Sequence, residues 1–182
     1  MIAAEGIMIV LRILHILAGV LWVGSAFFFV AFLGPASGMV APEVSGPFFQ
    51  VLVNKMRVPK VITGLATVTV TFGWLLWLKD LHDYSDWSLS NWVLHQPNHM
   101  GLVLTIGGIL ATLAFFEGYL GVGKNVERLT EMGGKIAASG APPTPEQQAT
   151  MGKIQASLRK HGQQDLVILL LAVVAMATAR YW

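Results

Sequence analysis

The stretch IMIVLRILHILAGVLWVGSAFFFVAFL at positions 7–33 decides the fold class of this chain. Its only ionisable side chains are Arg12 and His15, one helical turn apart. Because about 20 apolar residues are enough to cross the hydrocarbon core of a bilayer, the stretch predicts a transmembrane helix. Ionisable groups at that depth are costly and usually face a bundle interior, a cofactor or a water-filled cavity. Arg12 and His15 are therefore the first candidate functional residues.

The composition extends this prediction to the whole chain. Of its 182 residues, 54% are hydrophobic and 12% are charged, whereas a soluble domain carries roughly 25% charged residues. The chain has no Cys, which excludes disulfides, thiolate metal sites, iron–sulfur clusters and covalent c-type haem attachment. A metal or haem would need His, Met, carboxylate or Lys as its ligand. No motif for nucleic-acid binding is present.

Four apolar spans organise the chain, at about 7–33, 61–79, 98–122 and 161–181. In lipid only helices and closed barrels satisfy every backbone hydrogen bond, and these spans lack the alternation of barrel strands. We expect an all-α fold: one integral membrane four-helix bundle that comprises residues 1–182. Thr144-Pro145-Glu146-Gln147 resembles a capping box. Together with apolar stripes on both sides, it predicts a cytoplasmic helical hairpin between helices three and four.

The basic residues predict the orientation. Nine of the twelve Lys and Arg residues lie in the first and third connections between spans. They are Lys55, Arg57, Lys60, Lys124, Arg128, Lys135, Lys153, Arg159 and Lys160. Because basic loops remain on the cytoplasmic side, both termini are expected outside (N-out/C-out), in a bacterial inner membrane. The expected partners are the lipid bilayer and either further copies of the chain or a redox subunit.

The first helix carries its candidate functional residues on one face. Arg12, His15, Gly19 and Trp22 share this face at spacings of three and four. One interpretation is a haem b site, in which His15 and His99 bind the iron and Arg12 pairs with a propionate. Gly19, which has no side chain, would leave room for the flat haem. The other is that His15 bonds to a neighbouring helix and Gly19 allows close packing.

Further histidines lie on the same predicted outer side. His82 and His95, with His99, form an alternative site for copper or another metal ion, because imidazole binds copper, zinc and iron alike. The competing interpretation is that His82 and His95 are ordinary interfacial loop residues.

A second polar group lies near the predicted inner face. It comprises Lys60, Glu117 and His161, with Asp165 one turn beyond His161. One interpretation is a proton-handling or quinone head-group site, with Lys60, Glu117 and His161 as the catalytic candidates. The other is a structural salt bridge from Glu117 to Lys60 or to His161.

Two stretches carry a family resemblance. Positions 11–29, LRILHILAGVLWVGSAFFF, resemble the first helix of the membrane domain at the N-terminus of bacterial membrane-bound urate oxidases. A similar His-to-Trp-to-Gly spacing occurs in copper-resistance D-type proteins and membrane protoporphyrinogen oxidases. Positions 157–166, SLRKHGQQDL, are weakly similar to the closing helix of the urate oxidase domain. The resemblance implies a b-type redox module, with His15 at the family's helix-one histidine and His161 as a weaker match.

The resemblance also sets a limit on the expected activity. The urate oxidase domain is followed by a cytochrome c domain, whereas this chain has no Cys to attach a c-type haem. We therefore expect a membrane haem b protein in electron transfer or porphyrin chemistry rather than a urate oxidase. The alternatives are a protein that handles copper or another metal ion, and a non-catalytic accessory subunit of a larger membrane complex. Whether the chain is an enzyme stays open.

Overall fold

In the computed structural model, residues 2–96 and 99–181 are described, the side chains of residues 2–5 and 42–43 excepted. Their α-helices are α1 (Ile2–Phe28), α2 (Gly34–Ser37), α3 (Pro42–Gln50), α4 (Val58–Ser85), α5 (Leu89–Leu94), α6 (Met100–Glu117), α7 (Lys124–Ser139) and α8 (Pro145–Thr178). Three π-helical segments, Phe29–Leu33, Val51–Lys55 and Gly118–Gly123, and a 3₁₀ turn, Ala179–Tyr181, complete the helical part. No β-strand occurs within the described ranges. The predicted all-α class is confirmed.

Four helical stretches are long and apolar enough to cross a membrane: Gly6–Ser37, Val58–Ser85, Met100–Ser139 and Pro145–Tyr181. The last two stretches extend well past the predicted spans. The predicted hairpin is thus formed by α7, which continues α6 through a π-helical segment, and by the first half of α8. The end of the bundle that carries this hairpin is called the extension end below. The termini and α5 lie at the opposite end.

The start of α8 is defined by its capping box. The Thr144 hydroxyl accepts a hydrogen bond from the Gln147 backbone N–H, and the Gln147 side chain accepts one from the Thr144 backbone N–H. Pro145 occupies the first turn, where its missing N–H costs nothing. Because this box satisfies otherwise unpaired backbone donors, it places the helix start far outside the apolar span.

The bundle is centred on two alanines and two larger side chains. α1 packs along α4, α6 packs along α8, and contacts from α4 to α6 and from α1 to α8 close the bundle. Trp22, Ala66, Ala114 and Leu169, one from each long helix, form the buried core. Large apolar side chains such as Ile9, Val20 and Leu171 are exposed on the outside. An apolar exterior of this kind fits contact with lipid, as expected for a multi-pass membrane protein.

The short helix α5 packs on the start of α6 at the opposite end. Trp92 of α5 is fully buried and stacks on Tyr84, with ring centroids 6.2 Å apart. The Trp92 backbone lies directly against Gly101. The Ser88 hydroxyl caps the helix by accepting a hydrogen bond from the Asn91 N–H. Since Gly101 has no side chain, the two backbones can approach this closely.

Candidate functional site

Two polar stripes face each other between the α6–α7 helix and α8, and together they are called the polar seam below. Both stripes have a spacing of four residues, which keeps side chains on one helix face. Along one helix they are Glu117, Gly121 and Asn125, and along the other they are Ser157, His161 and Asp165. Because the two helices run antiparallel, the first residue of one stripe lies near the last residue of the other.

The centre of the polar seam is a paired carboxylate and imidazole. His161 Nδ1 lies 2.5 Å from Glu117 Oε1, and the side chains are 34% and 28% exposed. Gly121 makes this approach possible: a Cβ there would lie 2.7 Å from His161 Nδ1 and 3.1 Å from Glu117 Oε1. The structure therefore pairs Glu117 with His161, one of the two partners that the sequence allows.

Asp165 lies one turn further into the bundle. It is 6% exposed, and its Oδ1 is buried without a hydrogen-bond partner among the described residues. Gly118 lies against it, where a Cβ would be 3.7 Å from both carboxyl oxygens. A buried carboxyl oxygen without a partner lowers stability. Its presence one turn from the Glu117–His161 pair is thus a feature that stability does not explain.

The polar seam continues toward the extension end. Asn125 is 6% exposed, and its side-chain amide donates to the Gly121 carbonyl at 2.7 Å and to the Ser157 hydroxyl at 3.1 Å. The Ser157 hydroxyl retains its own O–H to donate. Asn125 and Ser157 thereby connect the two helices one turn below the Glu117–His161 pair.

Lys60 is not part of this arrangement. It is exposed at the start of α4, and among the described residues no ion pair joins it to Glu117 or to another carboxylate. Glu117 instead lines a shallow groove on the outside of the bundle, with Gln163, Gln164, Val167 and Ile168.

The histidine of the first helix is held against α4. His15 Nδ1 donates to the Thr69 backbone carbonyl at 2.8 Å. The imidazole occupies the space above Gly73, where a Cβ would lie 2.8 Å from His15 Cε1. A Cβ on Gly19 would already lie 3.3 Å from the Thr69 side chain. These contacts are the ones expected if His15 bonds to a neighbouring helix and Gly19 allows the two helices to pack closely.

The structure does not bring His15 and His99 together. The Trp77 indole donates to the Thr105 hydroxyl at 2.8 Å, which sets the register of α4 against α6. Gly73, beside His15, lies one turn deeper than Trp77, whereas His99 precedes the first residue of α6. At 1.5 Å per residue, the two histidines are about 15 Å apart along the bundle axis. A single iron cannot be shared by both in this arrangement.

The other proposed haem contacts lie in different surroundings. Arg12 is exposed and interacts electrostatically with Asp80 on α4. Trp22 is 4% exposed and packs in the core against Ala66.

The remaining outer histidines have local partners. His82 Nδ1 lies 2.9 Å from Asp83 Oδ1, and its ring contacts Trp87 edge-on. His95 Nδ1 donates to the Ser90 carbonyl at 3.2 Å. Within residues 2–96 and 99–181, no three His, Asp or Glu side chains are grouped as ligands of a metal ion.

Protein-family models, curated proteins and solved structures give no match to this chain. The resemblance to urate oxidase membrane domains therefore stays a prediction from the residues of the first and last helices.

Sequence reasoning missed two residues of the polar seam. Asn125 and Ser157 lie outside the apolar spans, where a polar side chain is unremarkable. Their signal is the four-residue spacing that continues from Glu117 and from His161, respectively. Asp165 was noted beside His161, but its burial without a partner emerges only from the packing of α6 on α8.

Proposed function

We propose that this chain is a membrane protein that binds and releases a proton at Glu117, His161 and Asp165, in support of a redox or transport reaction at the membrane. The observation that carries the proposal is the buried, unpartnered Asp165 carboxyl one turn from a Glu117–His161 pair. Ionisable residues inside membrane spans are costly and are retained mainly for function.

The chemistry follows from the groups themselves. His161 Nδ1 and Glu117 Oε1 share one hydrogen bond, so a proton can reside on either partner. Asp165 supplies a second carboxyl within electrostatic range of Glu117.

A matched pair of variants tests the proposal. Glu117→Gln keeps the shape of the side chain but removes its acid, so we expect one seam carboxyl signal to disappear and the pH dependence of the remaining Asp165 and His161 signals to shift. The measurement is infrared difference spectroscopy of the purified protein in lipid while the pH is varied. Glu127→Gln, at an exposed position in the first turn of α7, is the control and should titrate like the wild type.

Two results would contradict the proposal. One is a wild-type protein whose seam carboxyls show no change across the pH range in which it remains folded. The other is a Glu117→Gln variant that titrates as the wild type does.

A second candidate function is haem b binding at His15, and one observation favours it. Because Nδ1 donates to the Thr69 carbonyl, the neutral ring carries its free lone pair on Nε2. Metal-ligating histidines are commonly oriented by such a second hydrogen bond. The donor set fits haem as a single axial ligand, and a bound haem b would supply one-electron transfer. The orientation with both termini outside a bacterial inner membrane, and a redox partner subunit, belong to this proposal.

A spectrum tests the second candidate directly. The detergent-purified, haem-supplemented protein should show a Soret band, with sharper α and β bands after reduction by dithionite. His15→Ala should abolish these bands, whereas His82→Ala, at an exposed histidine bonded to Asp83, should retain them. A flat spectrum from folded wild-type protein would rule this candidate out and leave the proton site unaffected.

A further inference from the structure

We infer that the polar seam is a one-sided proton path, which leads from the extension end of the bundle to Asp165 and is closed toward the opposite end. This inference rests on the proposed proton site and adds the direction from which that site is reached.

The seam offers polar groups at every turn between the extension end and Asp165. The Asn125 amide and the Ser157 hydroxyl are 3.1 Å apart, and the Glu117–His161 pair follows one turn deeper with a separation of 2.5 Å. Each turn advances the path by about 6 Å, because four residues rise 1.5 Å each. Hydroxyl, imidazole and carboxyl groups both accept and donate protons, so with water bridging successive turns they can pass a proton along such a series.

The path ends at Asp165 because the next layers are apolar and tightly packed. On α8 the following residues of the same face are Leu169 and Ala172, which are 1% and 3% exposed. On α6 the facing residues are Ala111 and Ala114, which are 8% and 0% exposed. These side chains carry no hydrogen-bonding group, so the polar series is interrupted above Asp165.

Further toward the opposite end of the bundle, small residues allow α6 and α8 to pack closely against each other. A Cβ on Gly107 would lie 2.9 Å from Met176 and 3.4 Å from Ala175, which shows how closely α6 and α8 approach there. A site large enough for water needs both space and polar partners. Gly107, Ala175 and Met176 meet at van der Waals distance and carry no hydroxyl, amide or charged side chain, so this contact provides neither.

The titratable groups that line the path lie on α6 and α8. α6 supplies Glu117, and α8 supplies His161 and Asp165. α1 reaches α8 where Gly162 meets Val30, which does not titrate. α4 has an exposed lysine, Lys60, at its first turn. Lys124, Arg159 and Lys160 are exposed cations that lie within three residues of Asn125 or Ser157 in the sequence.

The test uses the full chain in liposomes, with molecules of one orientation selected by protease access to the turn between α7 and α8. The pH is changed on one side at a time, and the infrared signals of the seam carboxyls and of His161 are followed. We expect a prompt response when the pH changes on the extension side. A change on the opposite side should give a response only as fast as proton leakage across the lipid. Equal responses from both sides, or a prompt response from the opposite side, would overturn the inference.

A variant tests the first step of the path. Ser157→Ala removes the hydroxyl that receives the Asn125 hydrogen bond, so the response from the extension side should slow several-fold while the titration midpoint remains unchanged. Ser25→Ala is the control, because that hydroxyl bonds only to the Leu21 carbonyl of its own helix. An unchanged rate in folded Ser157→Ala would refute this step.

The two proposals fail in distinguishable ways. If the wild-type protein shows no titration at all, the proton site itself is wrong. If the site titrates and Glu117→Gln changes the titration, but the response is not one-sided, only the path is wrong. The wild-type comparison between the two sides does not depend on whether any variant folds.

Discussion

Gly101→Ala is expected to destabilise the protein by about 3 kcal/mol, because it forces new volume into a fully packed backbone contact. A Cβ at this position would overlap the Trp92 carbonyl oxygen, and it would lie 2.8 Å from the carbonyl carbon and 2.9 Å from the indole ring. A backbone carbonyl cannot rotate away as a flexible side chain can. Trp92 is fully buried, so α5 would have to leave its place on α6.

Thermal unfolding in detergent, followed by Trp fluorescence, measures this effect. Gly64→Ala is the matched control, since no atom outside its own helix lies within 4 Å of a Cβ there. Replacing a helical Gly by Ala is otherwise favourable by roughly 0.5–1 kcal/mol, so the control should unfold at the wild-type temperature or above it. A Gly101→Ala protein as stable as the control would show that α5 does not pack on α6 in this way.

Gly121→Ala is expected to break the Glu117–His161 pair and to shift the pH dependence of the polar seam. The new Cβ would lie 2.7 Å from His161 Nδ1 and 2.9 Å from His161 Cγ. Since Cγ is attached directly to the His161 Cβ, the whole ring must rotate out of the seam. Because the pair is about one third exposed, its contribution is smaller than that of a fully buried pair, and we expect a loss of only about 1–2 kcal/mol in stability.

The measurement combines thermal unfolding with infrared titration of the seam. Gly24→Ala serves as the control, because a Cβ there meets no atom within 4 Å outside its own helix. A shifted pH dependence in a folded Gly121→Ala protein supports a site that depends on contact between the two helices. Wild-type titration in that variant would contradict the assigned pairing.

The membrane fold was predictable from the sequence because hydropathy is a property of the chain itself. The stretch at 7–33 and the three later spans each contain enough apolar residues to cross a bilayer. The capping box at Thr144 was readable for the same reason, since its hydrogen bonds join residues three positions apart. The end of α4 was harder to predict, because this helix continues past position 79 into polar sequence as far as Ser85.

The site was predictable only in part. Glu117 stood out because it interrupts an apolar run, and His161 because it lies one turn from Asp165. The sequence could not predict that Glu117 pairs with His161 rather than with Lys60, because this choice depends on how α6 and α8 are rotated against each other. The same rotation buries Asp165 and joins Asn125 to Ser157.

The sequence by itself therefore determined the class of environment, the number of long helices and which side chains are costly in lipid. These follow from local composition and from hydrogen bonds between residues close in the chain. The tertiary structure alone decided that Gly73 receives the His15 ring, that Gly121 admits His161, and that Asp165 is buried without a partner. Such contacts depend on fitting helix surfaces at van der Waals distance, and a helical face specifies its own pattern but not the face that it meets.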